Sequence, residues 1–152
     1  MAYSSIEQET RDLDIFFKDS SKLIHIATAG GQIPNQLADN DKQNEEFASE
    51  ISNFEETFEV EVNPNLAEFI NIPDNGLERY LRDFILMASR GFYTYDKTKL
   101  GSFDDPFFHL VARPKKKENQ SLIAKTENLL NIETVLPTDF VSFDLFALID
   151  KK

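Results

Sequence analysis

The sequence predicts a single α+β domain, residues 1–152, with a mixed, mainly antiparallel sheet packed against three to four amphipathic helices. Three observations predict it. Apolar stripes of helical period dominate the first half of the chain, and β-branched and aromatic runs dominate the second. No repeat, low-complexity tract or linker divides the 152 residues. The composition, 41% hydrophobic and 28% charged with 5 Gly and 6 Pro, is that of an ordinary globular domain. Such a chain buries roughly 68–70% of its unfolded surface and needs no disulfide or metal to hold it.

Taken in order, Ile6, Thr10, Leu13 and Phe17 fall at helical spacing behind the caps Ser4 and Ser5, predicting a helix over about 5–19. Residues 22–28 (KLIHIAT) are a short apolar run closed by Gly30 and Gly31, the pattern of a strand buried on both faces. Pro34 suits the first turn of the next helix, whose firm part carries Phe47, Ile51, Phe54 and Phe58 on one stripe. Residues 59–62 (EVEV) alternate as a half-exposed strand. Asn63-Pro64 starts a short helix to Ile70, ended by Pro73. Asp74 or Asn75 then caps a helix lined by Leu77, Leu81, Phe84 and Ala88, and Gly91 stops it. Residues 92–96 and 107–113 read as paired strands around a loop containing Gly101 and Pro106. Residues 119–136 suit a helix at Leu122, Thr126 and Leu129, and a strand at 132–136. Residues 140–149 make the strongest strand candidate.

Charge is unevenly placed. The chain holds 16 Lys+Arg against 27 Asp+Glu, a formal charge of −11. Residues 1–76 carry a net −12 and residues 77–152 a net +1. The excess is densest over 39–61, where nine acidic residues face Lys42 alone. This balance argues against nucleic acid and anionic membranes as partners. The absence of cysteine removes disulfide scaffolds, thiolate metal sites and cysteine nucleophiles. The first residues lack an apolar signal core and no apolar run is long enough to span a bilayer, so a cytoplasmic protein is expected.

Several residue groups are candidates for chemistry. Thr28, Gly30 and Gly31 form a turn straight after a strand, where free N–H groups can approach an anion. The turn lacks both the dinucleotide and the lysine-bearing phosphate-loop spacings, and glycine pairs ordinarily just end strands. The two histidines, His25 and His109, both fall mid-strand. If those strands are neighbours, the imidazoles form part of an acid–base or ligand site with Asp144 as the added carboxylate. Against this, each imidazole also suits a hydrogen-bonded place in the core. Asp39, Asp41, Gln43 and Glu50 take calcium-loop positions, but Asn44 stands where the sharp turn needs glycine. No residue pattern calls for a bound metal or a cofactor.

Aromatic residues crowd the hairpin at 92–108, as core or as an oligomer contact. The basic run Arg113 to Lys117 lacks interleaved aromatics and reads as a solvated loop. The leading functional expectation is a non-enzymatic protein-interaction domain. Its acidic face, carried by Glu45, Glu46, Glu50, Glu55, Glu56, Glu59 and Glu61, docks a basic protein partner. Small acidic inhibitors, immunity proteins among them, work by this electrostatic logic, an analogy of charge and size with no shared motif. A ligand-binding domain or enzyme around Thr28–Gly31 with His25 and His109 is the alternative, and an oligomer-forming structural domain is the third.

Overall fold

The computed structural model describes residues 2–116 and 120–149, which build a six-stranded sheet with helical segments on both faces. Ser4 opens helix α1 (Ser5–Thr10) with a capping box: its hydroxyl accepts the Glu7 N–H, and the Glu7 carboxylate accepts the Ser4 N–H. The helix stops at Thr10 and does not run to residue 19. Asp14–Lys18 instead forms strand β1, an antiparallel hairpin with β2 (Leu23–Ala27). Leu13, Ile15, Phe16 and Phe17 are all buried, because helical layers cover both faces of this strand. A strand buried on both sides loses its two-residue alternation, so Ile6, Thr10, Leu13 and Phe17 mimic a helical stripe.

Strand β2 is buried along its length, as its apolar run implied, because it lies inside the sheet. On its other side runs β4 (Phe92–Lys97) in parallel. The crossover between them carries α2 (Asn35–Ala38), α3 (Asp41–Ala48), β3 (Val60–Val62) and α4 (Asp74–Ser89). Strand β4 turns through residues 98–106 into the antiparallel β5 (Phe107–Pro114). The far edge of β5 is shared by β3 and by β6 (Phe143–Asp144), both antiparallel. The order β1-β2-β4-β5-β3 thus has one parallel junction in an otherwise antiparallel sheet, the mixed architecture the sequence predicts.

Three local expectations change. The helix placed over Phe47–Phe58 ends at Ala48, continues as a 3₁₀ turn (Ile51–Asn53), and is extended at Phe54. Its aromatic stripe still meets one apolar cluster, with Phe47 5.2 Å from Phe16 and Phe54 6.1 Å from Phe92 by ring centroid. The helix expected from Asn63 to Ile70 is only a 3₁₀ turn, Leu66–Glu68. The strand expected over 140–149 pairs at Phe143 and Asp144 alone and then becomes α6 (Leu145–Ile149), whose Leu145 is completely buried. Asp144 drives that switch: its carboxylate accepts the Ala147 N–H at 3.0 Å, as a helix cap does.

One face of the sheet packs Ile15, Phe17, Ile24, Ile26, Tyr95 and Leu110 against Leu37 of α2, Ile132, Leu136 and Leu145. The other face packs Phe16, Leu23, Phe92 and Val111 against Phe84 and Met87 of α4 and the aromatic cluster around Phe54. The ambiguous stretch begins as α5 (Gln120–Lys125) and then docks on β1. Lys18 donates its N–H to Leu130 and accepts that of Ile132, a single parallel bridge. Of the basic run, Lys115 and Lys116 are exposed and Lys117 lies outside the described residues. Among the described residues no helix is long and apolar enough to cross a membrane.

Candidate functional site

Beside the carboxyl ends of the two parallel strands lies a cleft of about 320 Å³. Crevices at the carboxyl ends of parallel strands are the places where open α/β sheets bind ligands. Ala27 of β2 and Asp96 of β4 are register partners at that end. Asp12, Asp14, Ala29, Tyr80, Asp83, Phe84, Leu100 and His25 complete the lining, so α4 forms the opposite wall.

Strand register explains the convergence. Phe16 pairs with His25 and His25 pairs with Thr94, so their side chains share the face that α4 covers, with Asp14 and Asp96 two residues along. His25 is 2% exposed and held from both sides: Nε2 lies 2.8 Å from Asp14 Oδ1 and Nδ1 lies 2.6 Å from Thr94 Oγ1. Asp96 is almost as buried. Its Oδ2 accepts the Tyr80 hydroxyl at 2.6 Å and its Oδ1 accepts the Lys97 N–H at 2.9 Å. Burial dominates the Asp96 carboxyl and raises it to about 6, helped by the nearby Asp12 and opposed by the Tyr80 and Lys97 hydrogen bonds and by His25. The Tyr80 phenol is pushed far up, first by burial and then by the Asp96 charge.

The residues nominated from sequence are dispersed. His25 lines the cleft; Thr28, Gly30, Gly31, His109 and Asp144 do not. Strand β4 separates β2 from β5, so the strands carrying the two histidines are not neighbours. His109 is fully buried, stacks on Phe69 at 5.0 Å, and bonds Thr98 Oγ1 through Nδ1 at 2.9 Å. Its Nε2 has no partner among the described residues, and burial lowers its pKa to about 4, which keeps the ring neutral at neutral pH. Asp144 sits across from Phe107 on the far edge of β5, engaged in its helix cap.

The Thr28–Gly31 turn is already satisfied from within. Thr28 N–H goes to the Leu13 carbonyl, Gly30 N–H to that of Arg11 and Gly31 N–H to that of Thr28. The Ala29 N–H goes to the carboxylate of Asp12 at 2.9 Å. The turn does hold an anion, and that anion is the chain's own Asp12. Ala29 and Gly30 are both left-handed, at φ 47° and 74°, which this tight reversal requires. Gly31 serves packing: a Cβ there would lie 2.5 Å from Cδ of the buried Lys97 and 2.9 Å from the Thr28 carbonyl oxygen. Gly31→Ala is therefore expected to lower stability by about 1–3 kcal/mol. A urea midpoint unchanged from that of the parent would refute this packing role.

The acidic segment is largely solvent-facing. Glu46, Glu50, Glu55 and Glu59 are exposed and make no ion pair among the described residues. Glu45 accepts the Tyr3 hydroxyl at 2.8 Å, Glu61 pairs with Arg113 at 2.9 Å, and Glu56 stands 4.0 Å from Arg90. Asn44 of α3 donates to the Asp14 carbonyl at 2.9 Å, which sets α3 and its glutamates beside the strand bearing Asp14. In the hairpin, Phe92, Tyr95 and Phe108 are core, while Phe107 is 41% exposed.

Sequence reasoning missed Asp12, Asp14, Tyr80, Asp83 and Asp96. One signal was present: Asp96 and Lys97 are charged residues closing an aromatic run (FYTYDK), where burial is expected. Among the described residues, no three His, Asp or Glu side chains are arranged to hold a metal ion. No protein-family model, curated protein or solved structure matches this chain.

Proposed function

We propose that the protein is a non-enzymatic interaction domain that binds a basic partner and seats a cationic side chain of that partner in the cleft. The lining carries this reading: Asp12, Asp14, Asp83 and Asp96 surround about 320 Å³ in which His25 is the only Lys, Arg or His. Leu100, 56% exposed, and the Phe84 ring offer apolar surface to the methylene stem of a lysine or arginine. The carboxylates take the charged head, and Tyr80 and Phe84 add ring faces that attract cations. The exposed glutamates of residues 45–59 extend the negative field and speed encounter with a basic surface.

An enzyme with His25 as general base is the second reading, drawn from the Asp14–His25–Thr94 chain of hydrogen bonds. A nucleophile must be reachable by substrate. The Thr94 residue is wholly buried while the Asp14 side chain is 55% exposed, the reverse of the order such a relay needs. This favours binding over catalysis.

The test is an arginine-rich peptide with a glutamate-rich peptide of equal length as control. Binding is expected for the first alone, with an association rate that falls about tenfold or more from low to high salt. Asp14→Asn with Asp83→Asn is expected to weaken binding about tenfold, whereas Glu127→Gln with Glu133→Gln, which removes equal charge outside the cleft, has little effect. Glu45→Lys with Glu55→Lys is expected mainly to slow association. Affinity should fall as pH drops through about 6, where Asp96 takes up its proton. Salt-independent association, or equal loss from both charge-removing pairs, would exclude the cleft as the seat.

A further inference from the structure

Arg90 closes α4, where its backbone N–H bonds the Leu86 and Met87 carbonyls, and its side chain is buried, 8% exposed, with no guanidinium hydrogen bond among the described residues. Its Nε is shut away from solvent without an acceptor. The nearest carboxylate, Glu56, stands at 4.0 Å and is itself 55% exposed. A lysine or histidine in this position can shed its charge, but a guanidinium cannot, so it needs a counter-charge. The carbonyl end of α4 supplies a partial negative charge, though none of its carbonyls accepts from the guanidinium. In a chain with 27 acidic and 16 basic residues, this buried arginine is thus met by one long contact to an exposed carboxylate, and its Nε is left without an acceptor among the described residues.

The side chain forms part of a small pocket with Phe54, Thr57, Phe58, Leu122 and Lys125, which Glu55 also borders. Lys125 stands at the exposed rim with its Nζ 5.4 Å over the Phe54 ring, and makes no ion pair among the described residues. The interior has about 30 Å³, enough for one water-sized group. Apolar walls, a forked donor at the base, a hydroxyl and an ammonium at the mouth are the donor set that a tetrahedral oxyanion takes. We infer that this pocket, between the end of α4, the 54–58 segment and α5, is a binding seat for a small oxyanion of the phosphate type. One oxygen enters against Arg90 and the others remain at the mouth beside Thr57 and Lys125. The seat is separate from the acidic cleft and shares no residue with it.

The test follows the Arg90 Nε–H resonance of the isotope-labelled protein during titration with sodium phosphate at fixed ionic strength, with sodium chloride as the matched control. A saturable shift with phosphate, accompanied by the Thr57 backbone amide, is the expected result. Lys125→Gln, at an exposed position that leaves the fold intact, is expected to weaken phosphate binding about fivefold. Arg90→Gln removes binding altogether if it folds, and the wild-type resonance and Lys125→Gln decide the matter if it does not. An Arg90 resonance that phosphate leaves unmoved, one that moves equally in chloride, or a Lys125→Gln affinity equal to wild type each overturns the proposal.

Discussion

Replacing Asp19 by alanine is expected to lower the unfolding free energy by about 3–5 kcal/mol at neutral pH. Asp19 and Lys22 form a buried ion pair at 2.7 Å, with side chains 0% and 3% exposed. Asp19 also accepts the N–H groups of Ser21, Lys22 and Leu136, while Lys22 donates to the Leu136 carbonyl at 2.6 Å. The pair therefore ties the β1–β2 turn to the segment 114 residues further along. Removing one partner strands the other charge in the interior. Lys22→Met alone should be comparably damaging, whereas the double variant Asp19→Ala, Lys22→Met should lose markedly less than the sum of the two. Additive losses in a double-mutant cycle by urea denaturation would show that the two charges do not depend on each other.

The same pair sets a pH response. Burial by itself raises the Asp19 carboxyl, but the Lys22 ammonium and the backbone N–H groups of Leu136 and Ser21 outweigh it and hold the carboxyl below its ordinary 3.8. A carboxyl depressed in the folded state contributes stability that is fully present well above 3.8 and is lost as pH falls through the folded value. Wild-type stability should therefore fall between pH 5 and the acid limit, and the double variant should show a shallower fall. Asp96 acts in the opposite sense. Its folded value, raised to about 6, means that its ionisation opposes folding, so Asp96→Asn should gain stability at pH 8 relative to pH 5.

Asn44→Ala is expected to lower stability by about 2–4 kcal/mol and to make the protein self-associate. Asn44 is 1% exposed and treats the edge of β1 as a neighbouring strand would. Its Oδ1 accepts the Phe16 N–H at 2.8 Å, and its Nδ2 donates to the Asp14 carbonyl and the Tyr3 hydroxyl. Residues 130–132 close the rest of that edge through Lys18. Loss of the amide leaves a backbone donor and acceptor unpaired on an edge strand, the arrangement that templates intermolecular pairing. Light scattering across concentration and urea denaturation give the two readouts. A variant as stable as its parent and strictly monomeric would show that the edge is protected by other means.

Much of the architecture was legible from local pattern. The buried strand at 22–28, the alternating strand at 59–62, the helix ending before Gly91 and the hairpin at 92–113 all follow from periodicity and breakers, and all are present. The misreadings share a cause. At 13–17 and 145–149 the side chains are apolar on more than one face, so spacing alone does not separate strand from helix. Pairing with β2 decides the first, and the Asp144 cap with the burial of Leu145 decides the second.

The cleft was far less legible. His25 stands out because histidine is scarce here, but Asp12, Asp14, Asp83 and Asp96 are four of 27 acidic residues with no motif spacing to join them. Linear sequence determined the composition, those local elements whose periodicity is unambiguous, the uneven charge and the absence of thiol chemistry. Tertiary structure decided which charges meet. The parallel pairing of β2 with β4 sets Ala27 beside Asp96, the hairpin adds Asp12 and Asp14, and α4 lays Tyr80 and Asp83 across them. Charge density can be read residue by residue, whereas a site is a coincidence of distant residues, and strand register and the packing of α4 determine which ones coincide.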